Sequence, residues 1–182
     1  MTVRVGTAER AAGRPPEREG SSASRRSRPR LDLELRRITY ADLPSVIAIE
    51  RRSFPAPWSL AMFVLELSKP SSICLGATHN GRLVGYLVCS RYHTVWHLMN
   101  VAVERDHRRL GIATALIERL FDETADSSDR YTLEVRISNR EAISMYESFG
   151  FRSAGVRRRY YHDNNEDALI MWRTLPGAAA EE

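Results

Sequence analysis

The dipeptide Asn80-Gly81 limits the possible folds most narrowly, because it joins two strand-like runs, SSICLGATH and RLVGYLVCSRY. Both residues accept positive φ angles, and this pair is the strongest short signal for a two-residue β-hairpin. The run VWHLMNVAVE follows directly and has the same apolar character. We therefore predict three consecutive antiparallel strands near the middle of the chain.

The segments around this hairpin alternate between helical and strand-like patterns. LDLELRRIT predicts a half-buried first strand, and Thr39 with Asp42, then Ser59, are typical N-terminal residues of two helices. After the three strands we predict a helix with Gly111 just inside its start, a strand over YTLEV, another helix and a strand over ALIMW. This order predicts an α/β domain with a mostly antiparallel first half and about four helices, some of them crossovers.

Length and charge divide the chain into one domain and two tails. With 182 residues, 43% of them hydrophobic, it is long enough for a single substantial core, which we assign to residues 31–175. Residues 1–30 carry eight Arg against three Glu, a net of +5, so the rest sums to −1. We expect residues 1–30 and 176–182 to be disordered. The Arg-rich tail fits either a weak contact with ribosomal RNA or a plain solvated extension.

Several classes of protein are disfavoured by what the sequence lacks. No apolar run approaches the roughly 20 residues of a membrane-spanning helix, and the N-terminus has no secretory h-region. We therefore expect a cytoplasmic protein without a membrane partner. Cys74 and Cys89 lie in strand-like runs without the spacing of a zinc or redox pair, which predicts reduced core residues. The histidines lack metal-ligand spacing, so no metal is predicted.

The segment RRLGIA, residues 108–113, lies at a predicted strand-to-helix turn. Unpaired amides at a helix start, together with the helix dipole, bind phosphate oxygens, and glycine at 111 would let a pyrophosphate approach the backbone. The segment lacks the GK[ST] of a P-loop and the third glycine of the dinucleotide fingerprint. A solvated strand–helix turn explains the same residues, so these six positions alone leave both interpretations open.

A wider stretch carries a family resemblance. NVAVERDHRRLGIATALIERL resembles the acetyl-CoA-binding motif of the GNAT acetyltransferases, with Arg108, Gly111 and Ala113 at its defining positions and Ala113 in place of the commoner glycine. LEVRISNREAISMYESFGF, FPAPWS and RRRYYHDNNEDALIMW resemble the ribosomal-protein N-terminal alanine acetyltransferases, the RimI type, within that family. The resemblance covers residues 32–174, nearly the whole predicted domain.

This resemblance implies a GNAT fold, with a mixed central sheet that splays at the acetyl-CoA site. The strand before the turn would pair with the pantetheine arm, the turn would wrap the pyrophosphate, and a residue after the next strand would lie near the thioester. The implied cofactor-binding residues are Val101, Ala102, Val103, Arg108, Arg109, Leu110, Gly111, Ile112, Ala113, Thr114 and Asn139. Asn139 is also a plain helix N-cap residue.

Glu134 and Tyr146 match the proton acceptor and the proton donor of the family. An α-amine attacks a thioester only when it is neutral, so a nearby carboxylate is useful; the departing thiolate needs a proton, which a phenol can supply. The amide of Val103 could donate a hydrogen bond to the oxyanion of the tetrahedral intermediate. Without the resemblance, Glu134 would be an ordinary exposed strand residue and Tyr146 a core residue with its hydroxyl at the rim.

The acceptor implied by the resemblance is the N-terminal alanine of a small-subunit ribosomal protein, attacked directly without an acyl-enzyme. FPAPWS and RRRYYHDNNED would form the two lips of the slot, with Phe54, Trp58, Tyr160 and Tyr161 as wall residues, although surface aromatics explain them too. The same chemistry on a lysine, a polyamine or an antibiotic amine is a second hypothesis. A non-catalytic ribosome- or RNA-associated protein anchored by its tail is a third.

Overall fold

The computed structural model describes residues 31–125 and 130–174, and the predicted tails lie outside them. The described part contains four α-helices: α1 (Leu43–Ser53), α2 (Leu60–Ser68), α3 (Ile112–Thr124) and α4 (Arg140–Ser148). Its seven strands are β1 (Glu34–Arg37), β2 (Ser72–His79), β3 (Arg82–Tyr92), β4 (Val95–Val103), β5 (Arg130–Arg136), β6 (Arg152–Tyr161) and β7 (Glu166–Thr174).

All seven strands form one mixed sheet in the order β1-β2-β3-β4-β5-β7-β6. Every neighbouring pair is antiparallel except β4 and β5, which α3 connects in parallel. The predicted hairpin is confirmed, because Asn80 and Gly81 both have positive φ angles, 50° and 72°. Such angles suit the tight turns whose twist matches that of the flanking strands. The predicted α/β class with a largely antiparallel first half is also confirmed.

The sheet is covered by helices on both faces, and each face has its own hydrophobic cluster. One cluster joins the sheet to Leu116 and Leu120 of α3 and to Ile143 of α4. The other joins the opposite face to Val46 and Ile49 of α1 and to α2. Cys74 and Cys89 are buried free thiols, as predicted. Because side chains alternate between faces along a strand, adjacent residues of β5 contact different layers.

Local capping signals place the helices where the sequence indicated. Thr39 and Asp42 form a capping box around a short 3₁₀ turn that leads into α1, and the Ser59 hydroxyl accepts from the Met62 amide at 3.4 Å. The prediction that Gly111 lies inside α3 is wrong: Gly111 is the N-cap, since its φ of 82° is left-handed rather than helical. Within the described residues, no helix is long and apolar enough to cross a membrane.

Candidate active site

β4 and β5 separate in the middle of the sheet. Their parallel pairing covers only Val95↔Arg130, Trp96↔Tyr131 and His97↔Thr132, so β4 has no β5 partner beyond His97. The Glu104 amide donates to the Val84 carbonyl of β3 at 2.8 Å. Alternation along the strand then turns the amides of Val101 and Val103 towards the gap. The predicted splay is confirmed, and it leaves a strand edge with which an extended ligand can pair.

The turn between β4 and α3 is shaped by two left-handed residues, Arg109 (φ 66°) and Gly111 (φ 82°). A Cβ added to Gly111 would meet no protein atom within 4 Å, so this backbone borders open space. The amides of the first turn of α3 have no intrahelical partner, and the helix dipole gives them partial positive charge. The turn therefore has the form of an anion-binding site.

A cavity of about 550 Å³ lies against this turn and the free edge of β4. Of the predicted cofactor-binding residues, all except Leu110 and Asn139 line it. Leu110 is exposed, and the buried Asn139 caps α4, its Oδ1 accepting from the Ala142 amide at 3.2 Å. The sequence reading missed several lining residues, most of them on α4: His107, Arg140, Glu141, Ala142, Ser144 and Met145. For the α4 residues, the sequence did carry a signal, because they directly follow Asn139, which was already predicted to bind the cofactor.

The two arginines of the turn have different roles. The Arg108 Nε donates to the carbonyl of Val103 at 3.0 Å, which braces the end of β4. Arg109 lies at the cavity mouth, where its Nη1 is 2.6 Å from Glu141 Oε1 and both side chains are exposed. An incoming anion would therefore meet the backbone of the turn and the Arg109 guanidinium.

Glu134 projects from β5 on the face opposite α3, since its neighbours Leu133 and Val135 belong to the α3 cluster. Its side chain is only 3% exposed, which excludes the ordinary exposed-strand interpretation. Oε2 lies 2.7 Å from His97 Nε2 of β4, and Oε1 lies 3.3 Å from Arg157 Nη2 of β6. The result is a buried carboxylate beside the splay with an imidazole and a guanidinium on its two oxygens.

Tyr146 lies on the other face, within the α3 cluster and 5.7 Å from the Phe151 ring centroid. Its hydroxyl is buried without a hydrogen-bond partner among the described residues. Burial, followed by the nearby Tyr161 hydroxyl, raises the pKa of Tyr146 well above its usual range. The phenol therefore stays protonated near neutrality. Because an unpaired buried polar atom is costly, it marks a place where a ligand atom is expected.

The predicted wall residues of the α1–α2 loop lie beneath that loop. Phe54 and Trp58 are 8% and 7% exposed and belong to the α1 cluster, whereas residues 55–57 are exposed. The Trp58 amide donates to the buried Glu50 carboxylate at 2.6 Å. Glu50 also accepts hydrogen bonds from Tyr86 and Asn100. Phe54 and Trp58 thus form the floor of this lip, and whether they contact a substrate stays a prediction.

The β6–β7 turn is held to β5 by one arginine. Arg136 Nη2 lies 2.7 Å from Asp163 Oδ1, Nη1 lies 2.9 Å from Glu166 Oε2, and the guanidinium stacks on the Tyr161 ring 3.8 Å from its centroid. Tyr161 is buried, and Tyr160 packs against it at 5.5 Å with a ring angle of 85°. Tyr160 lies 5.5 Å from the Arg157 guanidinium that contacts Glu134, so this end of β6 is beside the Glu134 site. Contact of the two predicted tyrosines with a substrate stays a prediction.

Comparison with known protein families finds a match for this chain. The profile described as Acetyltransferase (GNAT) family matches residues 43–151. The chain belongs to the GNAT acetyltransferase family. It is accordingly an N-acetyltransferase that uses acetyl-CoA as the acetyl donor, as the resemblance implied. Among the described residues, no group of three metal-ligating side chains occurs.

Individual GNAT relatives share most of this chain. It is 38% identical over 133 residues to the ribosomal protein bS18-alanine N-acetyltransferase of Escherichia coli (strain K12), covering 71% of this chain and 89% of that one. A putative enzyme of the same name from Bacillus subtilis (strain 168) is 34% identical over 149 residues, 78% of this chain and 95% of its own. The crystal structure of the Escherichia coli enzyme superimposes with a TM-score of 0.75 over 82% of this chain and 98% of its own, at 33% identity.

Proposed function

We propose that this GNAT acetyltransferase transfers the acetyl group of acetyl-CoA to the α-amine of an N-terminal alanine on a small-subunit ribosomal protein. The observation that carries the proposal is a pair of buried groups on the two faces of the sheet: the carboxylate of Glu134 on one face, and on the other the Tyr146 phenol, which has no hydrogen-bond partner among the described residues. The names of the Escherichia coli and Bacillus subtilis relatives support the choice of acceptor.

Acetyl-CoA fits the residues of the cavity. Its pyrophosphate would bind the amides of the α3 turn and Arg109, and its pantetheine arm would pair with the amides of Val101 and Val103. The open rim at Gly111 leaves room for phosphate oxygens. The Tyr146 hydroxyl, which lacks a partner among the described residues, would then lie near the sulfur.

The chain's residues supply the three functions that acyl transfer to an amine requires. Glu134 accepts a proton from the α-ammonium, directly or through water, and so produces the neutral nucleophile. The Val103 amide donates to the acetyl oxygen as that oxygen gains negative charge. Tyr146 donates a hydrogen bond to the departing thiolate sulfur. The transfer is direct: both cysteines are buried in the core, and burial raises the pKa of Cys74 to about 12.

The acceptor would enter between two lips, the α1–α2 loop and the β6–β7 turn. Phe54 and Trp58 support the first lip, and Tyr160 and Tyr161, the last residues of β6, lead into the second. An extended N-terminus can reach a carboxylate at the bottom of such a slot. A ribosomal substrate would place the reaction in the cytoplasm, and we propose the tail of residues 1–30 as a candidate for weak contact with ribosomal RNA.

A mass-spectrometric transfer assay tests this function. Short peptides beginning with Ala, Ser or Met, and an acetyl-blocked Ala peptide with an internal Lys, are incubated with acetyl-CoA and the full chain. We expect the free Ala peptide to gain one acetyl group on its α-amine. Acetylation of the blocked Lys peptide, or of polyamines in place of free N-termini, would move the acceptor to the second hypothesis. Binding of acetyl-CoA without transfer to any amine would refute the proposed reaction.

A further inference from the structure

His97 is a partly buried histidine beside the candidate base. It lies on β4 at the last paired position before the splay, opposite Thr132 of β5. Its Nε2 is 2.7 Å from Glu134 Oε2, and its side chain is 15% exposed against 3% for Glu134. None of the catalytic steps described above uses this side chain. Of the two side chains that contact the carboxylate, Arg157 is more exposed, but only His97 has a ring nitrogen that can both take up and release a proton.

The proposed reaction makes such a link necessary. An α-ammonium carries three protons and the acetylated product carries one, so two protons leave the nitrogen in each turnover. One of them is balanced by the proton that the CoA thiolate takes up, and the other must reach solvent. Glu134 cannot keep it, because the next cycle again requires the carboxylate form. A carboxylate with 3% exposure also has little direct contact with bulk water.

We propose that His97 relays this proton between Glu134 and solvent, an inference that rests on the proposed function. Glu134 receives the proton from the α-ammonium at one oxygen and passes it to Nε2 of the neutral imidazole. The resulting imidazolium releases the Nδ1 proton to water, which leaves a neutral ring whose Nε2–H donates to the Glu134 carboxylate. Loss of that proton to water and uptake of one at Nδ1 then restore the starting tautomer for the next cycle. His97 acts through Glu134 and does not touch the substrate. Imidazole is suited to this task because it gains and loses a proton readily between pH 5 and 8.

The other groups around Glu134 are poor carriers. Arg157 of β6 approaches Oε1 at 3.3 Å, but a guanidinium does not release its proton in proteins. Tyr161 of β6 is near, yet burial raises the pKa of its hydroxyl well above its usual range. The Tyr92 ring of β3 packs edge-on against the His97 ring, with the two ring centroids 6.2 Å apart. Arg157 instead holds Oε1 of Glu134 in place at 3.3 Å.

The alternative role for His97 is to hold Glu134 in place by donating one hydrogen bond. His97→Gln separates the two roles, since a glutamine amide can donate to Oε2 but cannot carry a proton. Under the relay, His97→Gln lowers kcat by about 100-fold, the lower end of the usual contribution of acid–base catalysis. Both KM values stay within about two-fold of wild type, because no binding contact is removed.

The closing experiment measures kcat against pH for wild type, His97→Gln and His97→Ala, with added imidazole. We expect imidazole in its free-base form to restore His97→Ala in proportion to its concentration, and to leave wild type unchanged. His93→Gln, in the exposed β3–β4 turn, is the matched control and should keep wild-type kcat. Full kcat in His97→Gln, or a loss in His97→Ala that imidazole does not repair, would overturn the relay.

The acceptor panel described above keeps this test distinct from that of the proposed function. If wild type acetylates lysine or a polyamine in place of a peptide N-terminus, the alanine assignment fails, but the His97 variants are measured on that amine with the same expectations. An active wild type with an equally active His97→Gln overturns the relay alone. A wild type that binds acetyl-CoA and acetylates no amine overturns both.

Discussion

Tyr131 and Tyr146 are fully buried phenols in one hydrophobic cluster, and they differ in the state of their hydroxyl groups. The Tyr131 hydroxyl lies 2.6 Å from Thr124 Oγ1, whereas the Tyr146 hydroxyl has no partner among the residues that the structure describes. A buried hydroxyl with a partner contributes to stability, and one without a partner costs free energy. The two tyrosines therefore make a matched pair for separating a structural phenol from a catalytic one.

Tyr146→Phe should lower kcat by about 100-fold, because it removes the proposed donor to the leaving thiolate. It should leave the free energy of unfolding unchanged or slightly higher, since an unpaired polar atom is deleted. Tyr131→Phe should do the opposite, losing about 1 kcal/mol of stability with little change in kcat. Peptide turnover and denaturant unfolding measure the two effects. Full turnover in Tyr146→Phe would show that the donor assignment is wrong.

Gly111→Ala should weaken acetyl-CoA binding as well as stability. An alanine at φ 82° is strained by about 1–2 kcal/mol, and its Cβ would enter the space that we propose for the pyrophosphate. We expect the KM for acetyl-CoA to rise about tenfold, equivalent to about 1.4 kcal/mol. Gly81→Ala is the control, because its φ of 72° and open surroundings impose the same strain away from the cavity. An equal KM for acetyl-CoA in the two variants would contradict the proposal that the turn binds the phosphates.

Glu141→Gln should tighten acetyl-CoA binding. Glu141 pairs with Arg109 at 2.6 Å at the mouth of the cavity, so it would compete with the cofactor phosphates that we propose Arg109 binds. The affinity for acetyl-CoA should rise by at most about five-fold, because an exposed ion pair contributes no more than about 1 kcal/mol. Isothermal titration at low and high salt measures it, and the gain should shrink as salt screens the charges. Glu118→Gln, on the exposed side of α3, should bind like wild type.

Glu166 should make the β6–β7 turn sensitive to acid. Burial alone would raise its pKa, but hydrogen bonds from Ser138, Arg136 and Asn164 outweigh burial and lower the pKa from 4.5 to about 2. A group whose pKa is lower in the folded state stabilises the fold above its unfolded pKa. Its contribution is therefore complete above pH 4.5 and is lost as the pH falls towards 2.

The measurement is the melting temperature of wild type and Glu166→Gln between pH 6 and pH 2. We expect wild type to be more stable at pH 6 and the difference to narrow steadily below pH 4.5. Glu147→Gln, an exposed residue on α4, should follow wild type at every pH. A difference that stays constant down to pH 2 would mean that Glu166 does not stabilise the turn through its charge.

Much of the fold could be predicted because its signals are local. Asn80-Gly81 specifies a hairpin through its own backbone preferences, and Thr39 and Ser59 mark helix starts through hydrogen bonds to residues three positions away. β6 lacks the apolar pattern of the other strands, because it is an edge strand with mostly exposed residues. The family resemblance named Glu134 and Tyr146, but it said nothing of their surroundings.

Sequence alone thus determined the hairpin, the caps and the class of the fold, since each depends on the pattern of neighbouring residues. Only the tertiary structure decided that Glu134 meets His97, 37 positions earlier, and that Phe54 and Trp58 lie beneath their loop. Those contacts depend on the register of two parallel strands joined through α3 and on how the helices pack. A difference of one residue in strand register would turn Glu134 to the opposite face, and no local pattern encodes that choice.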